Sequence, residues 1–151
     1  MRVKEIMTTD VAVCRPEEDL ARAAVLLFER DCGALPVVQD GRVVGVITDR
    51  DIAIAGATKG RPLHAIRVAE VASQDVWACV PDDDVRSALD LMAANQVRRI
   101  PVVDSEERLR GILSLNDVLQ RTRGGSGSPS PSEIVTALKE IGQRRVVEPV
   151  A

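Results

Sequence analysis

The chain has 151 residues, of which 45% are hydrophobic and 28% charged. A chain of that size and make-up fits one domain that buries roughly two-thirds of its unfolded surface without disulfide staples. A formal net charge of −3 and only two aromatic residues, Phe28 and Trp77, argue against nucleic acid as the principal partner, because both a basic field and stacking platforms are missing.

The core must therefore be built from Val, Ile, Leu and Ala. The first ten residues, MRVKEIMTTD, have no apolar stretch of signal-peptide length. No run approaches the roughly 18 apolar residues of a membrane span. A soluble, cytoplasmic protein without membrane attachment is expected. Cys14, Cys32 and Cys79 are odd in number and form no C-x-x-C pair. Buried free thiols are expected rather than a disulfide framework or a zinc knuckle.

The sequence repeats itself. At an offset of 65, Val3 falls on Val68, Glu5 on Glu70, Val11 on Val76, Cys14 on Cys79, Pro16 on Pro81, Asp19 on Asp84 and Leu26 on Leu91, and the run Pro36, Val37, Val38 falls on Pro101, Val102, Val103. One inserted residue shifts the offset to 66, where Gly45, Thr48 and Asp51 fall on Gly111, Ser114 and Asp117. GVITDRDI at 45–52 thus has a twin, GILSLNDV at 111–118. What they share is Gly-apolar-apolar-[Thr or Ser]-x-x-Asp.

Taken in chain order, each copy opens with a short extended piece at 11–13 or 76–78. A proline and an acidic run follow, at 16–19 or 81–84, and read as a helix start with proline in the first turn. The helix carries Leu20, Ala23, Ala24, Leu27 and Phe28 in one copy and Val85, Ala88, Leu89 and Met92 in the other, both at helical spacing. Val25 and Leu26, and Leu91 with Ala93 and Ala94, widen the apolar surface beyond one stripe, which points to self-association. Two strands follow, at 35–38 and 43–47 or at 100–103 and 109–113, joined by hairpin-like turns. A second, shorter helix opens at Thr48 or Ser114.

The expected fold is therefore mixed α/β (α+β): tandem units of strand, helix, strand, strand, helix. The copies span 1–60 and 61–123. Residues 124–132 have the Gly/Ser/Pro composition of a flexible linker. Residues 133–151 form a tail whose helix is capped by Ser132, carries Ile134, Val135, Leu138 and Ile141 on its apolar side, and stops at Gly142. A helix so short must dock on something.

Two copies of an apolar-Pro-Val-Val strand followed by Gly-apolar-apolar-[Ser/Thr]-x-x-Asp resemble the cystathionine-β-synthase (CBS) domain family over residues 1–123. The resemblance implies a CBS pair, or Bateman module, with pseudo-twofold symmetry between repeats. It implies as partners a second copy of the chain and an adenosine-containing ligand such as AMP, ADP, ATP or S-adenosylmethionine, held in clefts between repeats. No cofactor beyond that ligand is implied. The tethered C-terminal helix is a candidate contact for a protein target.

[S/T]-x-x-[D/E] is also a helix capping box, in which hydroxyl and carboxylate satisfy backbone N–H groups of the first turn. The two roles are compatible, since a helix N-terminus also suits a phosphate. Carried over from the family, Asp51 and Asp117 would accept hydrogen bonds from ribose hydroxyls, and Thr48 and Ser114 would lie near ribose and phosphate. Thr8, Val11 and Gly33 would face Ser114 and Asp117, while Ser73, Val76 and Arg98 would face Thr48 and Asp51, with Val11 and Val76 against adenine.

Arg98 and Arg99 stand where the first copy has Gly33 and Ala34. Their guanidinium groups would make the Thr48/Asp51 site the one that prefers phosphorylated adenosine; alternatively they are solvated or pair with acidic residues at a dimer contact. An enzyme is not expected. His64 is the only histidine, no P-loop occurs, and Asp49 has no acidic twin. The reading is a non-catalytic adenosine-ligand sensor, with a ligand-free dimerisation module as the alternative.

Overall fold

A computed structural model describes residues 1–122, 125 and 127–144. Its framework is two antiparallel hairpins, β1 (Ala34–Gln39) with β2 (Arg42–Thr48), and β3 (Arg99–Val103) with β4 (Leu109–Ser114). The first hairpin turns on Asp40 and Gly41, both at positive φ (51° and 79°), the left-handed pair that a two-residue hairpin loop requires. The second turn is longer. Asp104 closes it by accepting from the Glu106 and Arg108 amides at 2.9 and 3.0 Å. Both hairpins carry a register shift at the same point, between Val37 and Val38 and between Val102 and Val103.

The expected first strand of each repeat shrinks to a single parallel bridge, Cys14 to Val37 and Cys79 to Val102. The Cys14 amide donates to the Pro36 carbonyl at 3.1 Å and its carbonyl accepts from Val38 at 2.8 Å. Lengthening this ladder toward residue 12 would require a donor at the nitrogen of Pro36, which has no hydrogen. Pro101 stops the second copy in the same way.

Helices α1 (Leu20–Glu29) and α3 (Val85–Ala94) begin after the acidic runs, not within them. Asp19 and Asp84 are the caps, accepting from the Arg22 and Arg86 amides at 2.8 and 2.9 Å, so Pro16 and Pro81 belong to the preceding turn. Helix α1 buries Leu20, Ala23 and Leu27. Phe28 departs from the expected stripe and is 87% exposed, because Leu27 takes the inward position of that last turn. Helices α2 (Asp49–Thr58) and α4 (Leu115–Arg121) follow the hairpins.

The last helix, α5 (Pro131–Ile141), starts two residues earlier than expected, because Ser130 rather than Ser132 is its cap. Proline at its first position is preorganised for that start. Ile134, Ala137 and Ile141 are buried, α5 packs on α3, and Val135 and Leu138 face solvent. The Arg86 guanidinium fastens it, donating to Glu133 Oε1 at 2.7 Å and to the Gly127 carbonyl at 3.4 Å. Gly142 terminates the helix; residues 145–151 of the expected tail lie outside the described residues.

The sequence repeats are not the packing units. Val3 and Ile6, at the start of the first repeat, belong to the core of the second, with Val85, Leu89, Ile100 and Leu113. Ile66 and Val68, leading into the second repeat, belong to the core of the first, with Leu20, Leu35 and Ile47. The exchange is reciprocal and hydrogen-bonded. Val3 and Lys4 amides donate to Asp83 and Pro81 carbonyls at 3.0 and 2.9 Å, while Val68 and Ala69 amides donate to Glu18 and Pro16 carbonyls at 2.8 and 3.0 Å.

Each crossing segment then adds itself to the edge of the other repeat's hairpin. Thr8 exchanges two hydrogen bonds with Ile112 on β4, both 2.9 Å, and Ser73 exchanges two with Val46 on β2, both 3.0 Å. This explains the glycine shared by GVITDRDI and GILSLNDV. A Cβ at Gly45 would stand 2.8 Å from the Ser73 carbonyl oxygen, and one at Gly111 would stand 2.8 Å from that of Thr8.

Gly45→Ala and Gly111→Ala are each expected to cost about 1–3 kcal/mol, the usual penalty for forcing a methyl into a packed site. Urea unfolding checks this: the midpoint falls for both variants, and an unchanged midpoint contradicts the close approach described.

Candidate ligand-binding site

Both Thr/Ser-x-x-Asp motifs are capping boxes. At the start of α2 the Asp51 amide donates to Thr48 Oγ1 at 3.2 Å and the Thr48 amide donates to Asp51 Oδ2 at 2.9 Å. At the start of α4 the Asp117 amide donates to Ser114 Oγ at 3.1 Å, and Asp117 Oδ2 accepts from the Ser114 amide at 2.9 Å and its hydroxyl at 2.6 Å. Each box uses one carboxylate oxygen. The other takes no part in the cap.

At Asp117 that second oxygen meets the crossing segment, accepting from Thr8 Oγ1 at 3.3 Å. A carboxylate oxygen has two lone pairs, so Oδ1 keeps capacity for a further donor. Around this pair opens a cleft of about 540 Å³, within the range of small-ligand pockets. Thr8, Val11, Gly33, Ser114 and Asp117 all line it, as the sequence pairing expected.

Arg98 and Arg99 line this same cleft, whereas the sequence pairing expected Arg98 to face Thr48 and Asp51. Arg99 pairs with Ser114 across the β3–β4 hairpin, and the Leu115 amide donates to the Arg98 carbonyl at 2.8 Å, so the backbone of both arginines lies beside the start of α4. The Arg99 guanidinium lies beside Gly33. A Cβ there would lie 3.4 Å from Arg99 Nη1 and 3.2 Å from Asp49 Oδ2. Among the described residues neither arginine side chain has an ion-pair or hydrogen-bond partner.

Thr48, Asp51, Ser73 and Val76 lie outside this cleft. Ser73 reaches β2 two residues before Thr48, the counterpart of Thr8 on β4. The cleft also has walls that sequence reasoning missed. Arg30, at the end of α1, donates to Asp10 Oδ2 at 2.9 Å and to the Asp10 carbonyl at 3.2 Å, closing one side, with Cys32 and Leu119 nearby. Residues 20 apart joined through a loop leave no periodic signal, so nothing in the sequence marked the Arg30–Asp10 pair.

His64 is exposed in a single 3-10 turn at Leu63–Ala65. Among the described residues no three His, Cys, Asp or Glu side chains are grouped to hold a metal ion, and no helix is long and apolar enough to cross a membrane.

Two pseudo-symmetric repeats, each with a hairpin, a capped helix at its end and an edge lent by the other, make this a tandem CBS-repeat module. The CBS domain model matches residues 3–57 and 68–124, so the chain belongs to the CBS domain family. It is 39% identical over 128 residues to the CBS domain-containing protein YhcV of Bacillus subtilis, covering 83% of this chain and 90% of that one. Its structure is similar to that of Hypoxic Response Protein I, which has two coordinated zinc ions, with a TM-score of 0.74 and 31% identity over 82% of this chain and all of that one. It is also similar to the CBS pair of protein MJ0100 in complex with 5′-methylthioadenosine and S-adenosyl-L-methionine, with a TM-score of 0.73 and 26% identity over 80% of this chain and 98% of that one.

The three cysteines, all free, divide by environment. Burial pushes the Cys14 and Cys79 thiols up to about 12, with Glu18 and Asp83 adding a smaller repulsion. At pH 8 their thiolate fraction is on the order of 10⁻⁴, and the thiolate is the nucleophile. Cys32 is half-exposed on the cleft wall. A maleimide at pH 8 is therefore expected to label one thiol of the native chain, Cys32, and all three after denaturation; native labelling of Cys14 or Cys79, read by peptide mass, contradicts their burial.

Proposed function

We propose that this chain is a non-catalytic sensor that holds a phosphorylated adenosine in the cleft between Thr8 and Asp117. The observation that carries the reading is the meeting, on one cleft, of a carboxylate with spare acceptor capacity and two arginines whose side chains have no partner among the described residues. Asp117 Oδ1 accepts from a ribose hydroxyl, Thr8 holds that carboxylate in place, and Val11 supplies an apolar wall for adenine. Arg98 and Arg99 take the phosphate, where fork-shaped donors match its oxygens. Ser114 caps the helix whose N-terminus also faces this region.

The arginines decide among the adenosine ligands. Two guanidinium groups favour AMP, ADP or ATP over the positively charged sulfonium of S-adenosylmethionine. The phosphate preference therefore goes to the Ser114/Asp117 cleft, the reverse of the assignment expected from sequence. Thr48, Asp51, Ser73 and Val76 remain the residues for a second adenosine, with no guanidinium assigned to it. MJ0100, a CBS pair bound to adenosine-containing molecules, supports the ligand class.

Sensing requires that the ligand bind two conformations unequally. The crossing segment is the element able to report occupancy, since Thr8 touches both the ligand-facing carboxylate and the edge of β4.

Thermal melts with adenosine, AMP, ADP, ATP and S-adenosylmethionine test the proposal. A ligand at about 100 times its dissociation constant adds about 2.7 kcal/mol, worth several degrees for a chain of this length. The Arg98→Ala, Arg99→Ala double variant is expected to bind AMP roughly 10- to 100-fold more weakly and adenosine as before, matching the loss of charge-assisted hydrogen bonds. A melt unmoved by every compound favours the ligand-free module instead, and wild-type AMP affinity in the double variant overturns the assignment of the arginines.

A further inference from the structure

The two capped helix starts differ at the residue that follows the hydroxyl, Asp49 in one copy and Leu115 in the other. Leu115 is 5% exposed and lines the Asp117 cleft. Asp49 is exposed, and its backbone amide donates to the carbonyl of Gly33, a lining residue of that same cleft, at 3.2 Å. The start of α2 is thereby fastened to the cleft rim. Since α4 starts in the same capping box with a leucine at this place, the fold does not require an acid there.

The carboxylate of Asp49 is held in one orientation. Its Oδ1 accepts from the Arg50 amide at 2.7 Å, and its Oδ2 lies beside Gly33. A Cβ on that glycine would stand 3.2 Å from Asp49 Oδ2 and 3.4 and 3.5 Å from the two Nη atoms of Arg99. Carboxylate and guanidinium thus border the same small space, and among the described residues no ion pair joins them.

We infer that Asp49 sets the length of the phosphate chain this cleft accepts, admitting adenosine monophosphate and rejecting the di- and triphosphate. The inference rests on the reading of the Asp117 cleft as a site for phosphorylated adenosine. With the ribose on Asp117 and the first phosphate on Arg98 and Arg99, the Arg30–Asp10 pair closes one side, and a chain extended beyond Arg99 runs to Gly33 and Asp49. The first phosphate meets two guanidinium groups. A second meets a carboxylate, and the remaining lining arginine, Arg30, is already taken by Asp10. Juxtaposed like charges exclude a ligand without any loss of contacts to the right one.

Calorimetric titration of the full chain with AMP, ADP and ATP, free of divalent cations and at one ionic strength, tests the inference. The wild-type chain is expected to bind AMP about 10-fold or more tighter than ATP, with ADP between them, the scale of one like-charge contact. Asp49→Asn, and Asp49→Leu with the residue of the other copy, are each expected to tighten ATP about 10-fold and AMP less than about 3-fold. The ratio of the two affinities is the readout, because a weakened start of α2 would move both together. ATP bound as tightly as AMP by the wild type overturns the inference and leaves the cleft reading standing, and so does a ratio that neither variant changes. Binding of none of the three nucleotides overturns both.

Discussion

The structure depends on a carbonyl approaching a glycine. Ser73 and Thr8 come so near to Gly45 and Gly111 that a methyl group at either would stand 2.8 Å from a backbone oxygen, and only glycine admits that distance. From this approach follow the edge bonds of Ser73 to β2 and Thr8 to β4, and with them the exchange of leading segments between repeats. Neither repeat completes its core alone. The module is one cooperative body although its sequence reads as two.

The same approach builds the site. Bringing residue 8 to β4 sets its hydroxyl on Asp117 Oδ1, and the cleft opens between that contact and the starts of β1 and β3. The capping box and the proposed ligand grip are therefore compatible. One carboxylate oxygen fixes the helix start while the other faces the cleft, so the cap is what aims the acceptor. The repeats differ where they need not match for folding. Gly33 and Ala34 stand in the first repeat where Arg98 and Arg99 stand in the second, so these two arginines on the cleft have no counterpart in the first repeat.

The hairpins, the glycines and both Thr/Ser-x-x-Asp helix starts were legible in the sequence because each is a local signal that occurs twice, and repetition separates Gly45, Thr48 and Asp51 from the unrepeated Asp49 and Arg50. What was not legible depends on contacts between distant parts of the chain. Offset alignment shows that Arg98 matches Gly33 but not that both residues line one cleft, which depends on how the two hairpins pack together. Helical spacing placed Phe28 inward, whereas packing chose Leu27. The short first strand was hidden because its limit lies in its neighbour, where Pro36 has no hydrogen to donate.

The central claim is that a nucleotide lies with its ribose on Asp117 and its phosphate on Arg98 and Arg99. A crystal structure of the chain grown with AMP measures this directly. The account predicts the ribose hydroxyls within hydrogen-bond distance of Asp117 Oδ1 and the phosphate oxygens within that distance of the two guanidinium groups. AMP bound at Thr48 and Asp51 with the Asp117 cleft empty would contradict it.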